Sequence, residues 1–277
     1  MQGRRTVSDC VAVIAAAIAQ AADRPRSEAE IMLAERFGKD RLWVLTHPDA
    51  IVECDDELLR TWVERRRAHE PLEYIFNKVS FYSQTFFIAQ GALIPRPETE
   101  LLIDKVLERV DAGRPLRLCE VGVGSGAVSI VLAQHLPKAA IVAVDISEDA
   151  LSIAAKNVEA FGLSERITLR KSDLLDAVDE PIDVLVSNPP YVAKDADLEP
   201  NLAFEPDLAL FGGDDGMVLI GRLIESVAQR GIGLFCCEMG YDQRAAVLRL
   251  LPAGYRVEFY KDLAGLDRGF IMTKEQR

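Results

Sequence analysis

A chain of 277 residues exceeds one typical domain and falls short of two large ones, which points to a main domain with a smaller appendage and ample room for a core. Its composition, 49% hydrophobic and 27% charged, is that of a soluble globular protein, and no apolar run reaches the roughly 18 residues of a membrane span. The net charge of −12 is uneven: the first 85 positions hold 12 basic and 14 acidic residues, leaving 20 and 30 for the remainder. Such a body repels bare nucleic acid, and a protein is the expected target.

Residues 11–18 are apolar and follow Arg4 and Arg5, the outline of a signal peptide. They are Ala-rich, however, and flow into Gln20 and Asp23, so they read as part of a first helix over 6–22. Ser27 followed by Glu30 fits a capping box for a helix over 28–36, and Gly38 fits its stop. A third helix is expected over 55–67. Helical periodicity without strand alternation makes residues 1–80 a small helical bundle. Arg65, Arg66 and Arg67 are the main basic run and read as a solvated helix face, with rRNA or partner contact as the other reading. Cys10, Cys54, Cys119, Cys236 and Cys237 include no CxxC pair, and three of them fall in apolar segments with strand character. All five are expected to be reduced and buried, as in a cytoplasmic protein. His47, His69 and His135 lack ligand-like spacing, so no metal is expected.

Alternating aromatics (Phe81, Tyr82, Phe86, Phe87) suggest a short hairpin, with 81–94 as a linker to a main domain over 95–277. Pro95 and Pro97 punctuate the chain before a helix over 98–110. Strands are expected at 116–121, 141–146, 167–171, 182–187 and 232–238, alternating with helices. The last two, 255–260 and 269–273, leave no space for a crossover helix and should pair antiparallel. Continuous apolar strands separated by helices imply a mostly parallel sheet covered on both faces, an α/β fold.

The first strand of that sheet runs into Gly122, Val123, Gly124, Ser125 and Gly126, then an apolar helix. Glycines here permit a tight turn and a close approach of ligand to backbone, although dinucleotide sites and plain turns share the pattern. The second strand ends near Asp145 and Ile146, where a carboxylate can accept both ribose hydroxyls of a nucleoside; helix capping by Asp145 or Ser147 is the competing reading. Asp173 and Leu174 close the third strand and would flank an adenine, unless Asp173 caps the next helix. Asn188, Pro189, Pro190 and Tyr191 end the fourth. Two prolines stop the ladder and hold the Asn amide and the Tyr ring at the carboxyl edge of the sheet. An amide or exocyclic NH2 is a poor nucleophile. If the Asn188 side-chain oxygen and the Pro189 carbonyl each accept one N–H, its nitrogen is fixed with its lone pair toward a sulfonium methyl, while Tyr191 packs on the flat face. Positioning of this kind is worth about 7 kcal/mol or more without a general base.

This motif set resembles the class I methyltransferases with an NPPY signature, and specifically the release factor N5-glutamine methyltransferases, the HemK or PrmC family. The resemblance covers most of the chain. Besides the segments above it rests on Glu70-Pro71-Leu72-Glu73-Tyr74-Ile75, Leu93-Ile94-Pro95-Arg96-Pro97-Glu98-Thr99-Glu100, Glu205-Pro206 with Ala209-Leu210-Phe211-Gly212-Gly213, and Lys261-Asp262-Leu263-Ala264-Gly265. It implies a Rossmann-like seven-stranded sheet, mostly parallel with an antiparallel C-terminal strand. It further implies S-adenosyl-L-methionine as donor, S-adenosyl-L-homocysteine as product, and the glutamine of the Gly-Gly-Gln loop of a class 1 release factor as acceptor. Residues 122–126, Asp145, Ile146, Asp173 and Leu174 would then bind the donor, Asn188 would touch donor and acceptor, and Asn188 to Tyr191 with Arg96 and Pro97 would receive the glutamine. The helical bundle would dock the substrate of a cytoplasmic monomer without direct nucleic-acid contact. Asn77 stands where family members often have Gly, and Glu120 where Asp is common. A ribosomal-protein glutamine methyltransferase, an adenine-N6 nucleic-acid methyltransferase and an NAD-binding module are the alternatives; residues 96–100 and the acidity count against the first two, and NPPY against the third.

Overall fold

A computed structural model describes residues 4–54, 56–196 and 199–275, and the chain divides into two compact units, Met1–Phe76 and Asn77–Arg277. The first unit comprises β1 (Arg4–Thr6), α1 (Val7–Ile18), α2 (Pro25–Phe37), α3 (Arg41–Thr46), β2 (Ile51–Glu53), α4 (Glu57–Arg67) and α5 (Leu72–Phe76). Its core joins Val7, Val11, Ile14 and Ile18 of α1 to Met32 and Leu33 of α2, Val44 of α3 and Leu59 of α4. β1 and β2 form a short antiparallel pair that helical periodicity does not signal.

Several local expectations change. Pro25 takes the first turn of α2, where its missing N–H costs nothing, so Ser27 lies inside the helix and caps nothing. Glu30, expected to close the capping box, is buried and accepts from Arg41 at 2.8 Å and Arg26 at 3.3 Å. Gly38 does end the helix, in the left-handed conformation at φ 60°. The expected start of the third helix at Asp55 lies outside the described residues; Asp56 caps α4 through the Leu59 N–H at 3.0 Å. The Arg65 to Arg67 run is not simply a solvated face. Arg66 is buried against Glu28 at 2.6 Å, and Arg65 grips Glu70 at 2.6 Å and the Tyr74 carbonyl at 3.2 Å.

The cysteine expectation is corrected as well. Pairing of β2 with β1 delivers Cys54 to the start of α1, where Cys10 points inward, and the two form a disulfide with Cα atoms 6.1 Å apart. Cys119, Cys236 and Cys237 are free and buried.

The second unit opens with a hairpin, β3 (Lys78–Phe81) and β4 (Gln84–Phe87), and continues through α6 (Thr99–Leu107), β5 (Leu116–Val121), α7 (Ala127–His135), β6 (Ala139–Asp145), α8 (Glu148–Ala160), β7 (Ile167–Lys171) and β8 (Val184–Ser187). A 3-10 turn at Pro200–Phe204 precedes α9 (Asp207–Leu210), α10 (Val218–Arg230), β9 (Leu234–Glu238), α11 (Arg244–Leu250), β10 (Tyr255–Lys261) and β11 (Asp267–Lys274). The seven-stranded sheet runs β10-β11-β9-β8-β5-β6-β7, with β11 antiparallel to both neighbours and the other pairings parallel. Strands β8 and β9 are wholly buried and β5 is buried from Leu118 to Val121, with Glu120 and Glu238 the charged residues among them.

The hairpin is anchored inside this unit. Asn157 of α8, 2% exposed, accepts from the Phe87 N–H and donates to the Phe87 and Ser125 carbonyls, all at 2.8 Å, tying β4 to the turn after β5. Tyr82 donates from its hydroxyl to Asp104 at 2.8 Å and from its backbone N–H to Glu100 at 2.7 Å, both on α6. Asn77 sits at the base of the hairpin at φ 55°, a conformation glycine adopts freely, and its side chain donates to the Ile88 carbonyl at 3.1 Å.

Candidate active site

The carboxyl ends of β5, β6, β7 and β8 surround a cavity of about 400 Å³. After β5 the chain turns on three glycines at φ 77°, 54° and 82° (Gly122, Gly124, Gly126), while the N–H groups of Gly122 and Val123 both reach the Val144 carbonyl at 2.9 and 3.0 Å. Gly126 heads α7 so close to α8 that an added Cβ would lie 3.3 Å from that of Ala154, whereas a Cβ at Gly124 would meet nothing within 4 Å. The loop is therefore packed from behind and open in front, the form of a cradle for a ligand.

Asp145, at the end of β6, spans that loop and the next helix: it accepts from the Gly124 N–H at 3.0 Å and the Ser147 N–H at 2.9 Å. Burial raises its carboxyl pKa, and the N–H bonds from Ser147, Gly124 and Ile146 offset part of the effect. Capping of α8 falls to Ser147, through the Ala150 N–H at 3.2 Å, which leaves Asp145 facing the cavity. Asp173 holds Arg222 at 3.0 Å, and Leu174 adopts φ 48° with its side chain buried. Beneath them, Glu120 is enclosed, takes the Ser129 hydroxyl proton in a hydrogen bond, and is pushed up to about 8 by burial.

The fourth strand end carries the Asn-Pro-Pro-Tyr segment. Ser187 donates to the Val121 carbonyl at 2.8 Å and so locks β8 to β5 immediately before Asn188. The Asn188 side-chain NH2 donates to the Thr99 hydroxyl at 3.1 Å, which turns the amide oxygen away from α6. The Pro-Pro-Tyr backbone that follows is clamped. Gln243 donates to the Tyr191 carbonyl at 3.0 Å, Val192 and Gly212 exchange bonds with Leu210 and Val192 at 3.0 and 2.8 Å, and Gly212 and Gly216 lie where any Cβ would collide with the Pro190 and Tyr191 carbonyls. Glu205 braces the segment that brings Arg96 to the cavity: its buried carboxylate accepts from the Ile94 N–H at 3.0 Å and from Arg96.

Of the residues expected at the site, Gly122, Val123, Gly124, Ser125, Asp145, Ile146, Asp173, Leu174, Asn188, Pro189, Pro190 and Arg96 all line the cavity. Gly126, Pro97 and Tyr191 are not in its lining; Gly126 serves the helix start, and Tyr191 packs against the core on the far side of the loop. Sequence reasoning passed over Val218, Leu219 and Arg222 of α10 and its approach, which close one flank without any motif to mark them.

Residues 97–204 match the family model Methyltransferase small domain, and residues 10–76 match PrmC N-terminal domain. Among solved structures, the hMettl16 catalytic domain in complex with an RNA hairpin (TM-score 0.56, 15% identity, 82% of this chain and 84% of that one) and a methyltransferase from Pyrococcus furiosus (TM-score 0.53, 18% identity, 70% and 91%) share the fold. A sheet of this order, with its cavity above the ends of the parallel strands, makes the second unit a class I methyltransferase. Curated relatives narrow it further. The release factor glutamine methyltransferase of Moorella thermoacetica is 37% identical over 92% of this chain and 93% of its own length, and that of Chlorobaculum tepidum is 37% identical over 89% and 90%. The chain belongs to the release factor glutamine methyltransferase family.

Proposed function

We propose that this protein transfers a methyl group from S-adenosyl-L-methionine to N5 of the glutamine in the Gly-Gly-Gln loop of class 1 peptide chain release factors. The observation that carries the reading is the Asn188 amide: with its NH2 given to Thr99, only its oxygen is left to receive an N–H from an incoming amide. The donor fits the residues present. The open face of Gly124, the Asp145 carboxylate and the Leu174 side chain border a cavity within the size range of small-molecule sites. When bound, S-adenosyl-L-methionine supplies an electrophilic methyl on a cationic sulfur.

The residues of the chain then act by orientation and exclusion. Residues 122–126, with Ile146 and Asp173, hold the donor; Asn188 Oδ1 and the Pro189 carbonyl each accept one N–H of the glutamine side chain, leaving its nitrogen lone pair free to face the methyl. Pro190 stiffens this loop, Tyr191 holds it to the core from the far side, and Arg96 borders the acceptor. As the positive charge on sulfur disappears, a site with little water and acidic neighbours suits the step. The first unit docks the release factor, and the enzyme works as a cytoplasmic monomer without direct contact to nucleic acid.

Mass spectrometry of a purified release factor incubated with the full chain and the donor tests the reading. One added methyl on the Gly-Gly-Gln glutamine, absent with Asn188→Ala, supports it; an unmodified glutamine with folded, donor-binding enzyme overturns it. Wild-type methylation by residues 77–277 alone would refute the docking role of the first unit.

A further inference from the structure

One segment of the family resemblance, residues 261–265, lies outside the cavity lining and has no part in the reaction as described. It belongs to the turn between β10 and β11. Because β11 runs antiparallel to β9, with Gly269 beside Glu238, this turn stands at the same edge of the sheet as the carboxyl ends of β8 and β9. The strand order places it on the half of the sheet beyond β8, away from the glycine turn and Asp145 that follow β5 and β6.

The turn is built to hold one shape. The Asp262 carboxylate accepts from the Leu266 N–H at 3.0 Å and from Arg268 at 2.9 Å, the Asp262 N–H reaches the Leu266 carbonyl at 2.9 Å, and Gly265 turns the chain at φ 82°. At its tip Leu263 is fully exposed, and the neighbouring loop after β9 presents Tyr241, 63% exposed. The two loops are joined: the Met239 N–H donates to the Arg268 carbonyl at 3.0 Å, and Arg244 pairs with Asp267 at 3.4 Å. Gln243 extends the frame to the site, accepting from the Gly240 N–H at 2.8 Å and donating to the Tyr191 carbonyl at 3.0 Å. Tyr241 and Leu263 are thus carried on the scaffold that clamps the double-proline loop. Both arginines here are committed, Arg268 to Asp262 and Arg244 to Asp267, so the exposed tips offer carbon rather than free guanidinium, which fits a protein surface and not phosphate.

A single exposed leucine is ordinary on a protein surface, so its position decides the matter. A glutamine carried by a loop of a folded protein enters the cavity only when the surface around that loop settles on the rim. A standard interface covers about 800 Å² per partner, a patch of about 16 Å radius. β11 and β10 lie two and three strands from β8, about 10 and 14 Å away at one strand spacing each, inside that footprint. We propose that residues 240–243 and 261–266 form a docking ledge for the part of the release factor that surrounds its Gly-Gly-Gln loop, with Tyr241 and Leu263 as apolar anchors. The inference rests on the reading of a release factor as the acceptor, and it gives the methyltransferase unit a substrate contact of its own.

Steady-state methylation of intact release factor by the full chain reads the effect, with Tyr241→Ala, Leu263→Ala and the double variant beside wild type. Each single variant is expected to raise KM for the release factor about fivefold or more, and the pair about 25-fold, the loss that truncating an anchor residue brings. Because Leu263 is fully exposed and Tyr241 mostly so, Tm should hold, and kcat and the affinity for S-adenosyl-L-homocysteine by calorimetry should stay within about twofold of wild type. Wild-type KM in all three variants overturns the proposal, as does a loss of kcat or of product affinity in place of a raised KM. Sedimentation tests the rival occupant: self-association that Leu263→Ala abolishes, with KM unchanged, would give this face to a second copy of the chain. The two levels separate in the wild-type lane. An enzyme that binds S-adenosyl-L-homocysteine yet leaves the Gly-Gly-Gln glutamine unmodified refutes the acceptor and the ledge with it, whereas normal methylation with unaltered variants refutes the ledge alone.

Discussion

Replacing Gly212 with alanine should disable catalysis while leaving the fold in place. The new Cβ would run into the Pro190 carbonyl and stand 2.7 Å from the Gly216 carbonyl oxygen and 3.0 Å from its carbon, all backbone atoms with no flexible end to swing aside. Relief requires the double-proline loop to retreat by about 0.5 Å or more, the limit within which a catalytic arrangement tolerates displacement. A misplacement approaching 1 Å costs on the order of 100-fold in rate, or about 2.7 kcal/mol of activation energy. Crowding of a packed site costs about 1–3 kcal/mol of stability, a fall of roughly 2–12 °C in Tm for a domain of this size. Gly221→Ala is the control, because its Cβ would meet only Leu250 Cδ1 at 3.7 Å. Single-turnover methylation and thermal melts on both variants provide the readout. A Gly212→Ala enzyme with wild-type rate and unchanged Tm would show that crowding against Gly212 does not hold the loop.

Glu205→Ala should destabilise the chain by about 2 kcal/mol, since it strands the Ile94 N–H while Arg96, 34% exposed, can turn to water, and Arg96→Ala should cost more because it leaves the buried Glu205 carboxylate without its cation; a smaller loss for Arg96→Ala in urea titrations would contradict this ordering. Glu120 offers a pH test: its folded pKa of about 8 lies above the ordinary 4.5, so in the unfolded chain it ionises first and its contribution to stability falls as pH rises between those values. Glu120→Gln should therefore gain in Tm relative to wild type at pH 8 and not at pH 4.5, and a difference independent of pH would refute the assignment. Reducing the Cys10–Cys54 disulfide, which spans 44 positions, should remove up to about 4 kcal/mol from the first unit. Melts with and without reductant, with thiol counting to confirm the change, would expose a bond of no consequence.

The parts of the molecule that strand physics controls were readable from the amino acids. The runs at 116–121 and 167–171 coincide with β5 and β7, and the closing pair lacked the length for a crossover and is antiparallel. Features created by contacts distant in sequence were not. Ser27 and Glu30 have the spacing of a cap, yet Pro25 starts the helix earlier and Arg41, eleven positions on, claims the glutamate. Cys10 and Cys54 meet only because β1 and β2 pair, and three-residue strands carry too little periodicity to announce themselves. At the site, the glycine turn and double proline declare their backbone needs, whereas the side of Asn188 that faces the cavity depends on Thr99, 89 residues earlier.

The bond from Ser187 to the Val121 carbonyl joins the two loops that must cooperate, at the point where Val121 and Ser187 are already paired across adjacent parallel strands. The glycine turn and the double-proline segment thus begin about 4.8 Å apart, one strand spacing, and that separation is written in main-chain geometry. Side chains around the two loops can change without disturbing that spacing. The sheet works as a fixed gauge for both segments.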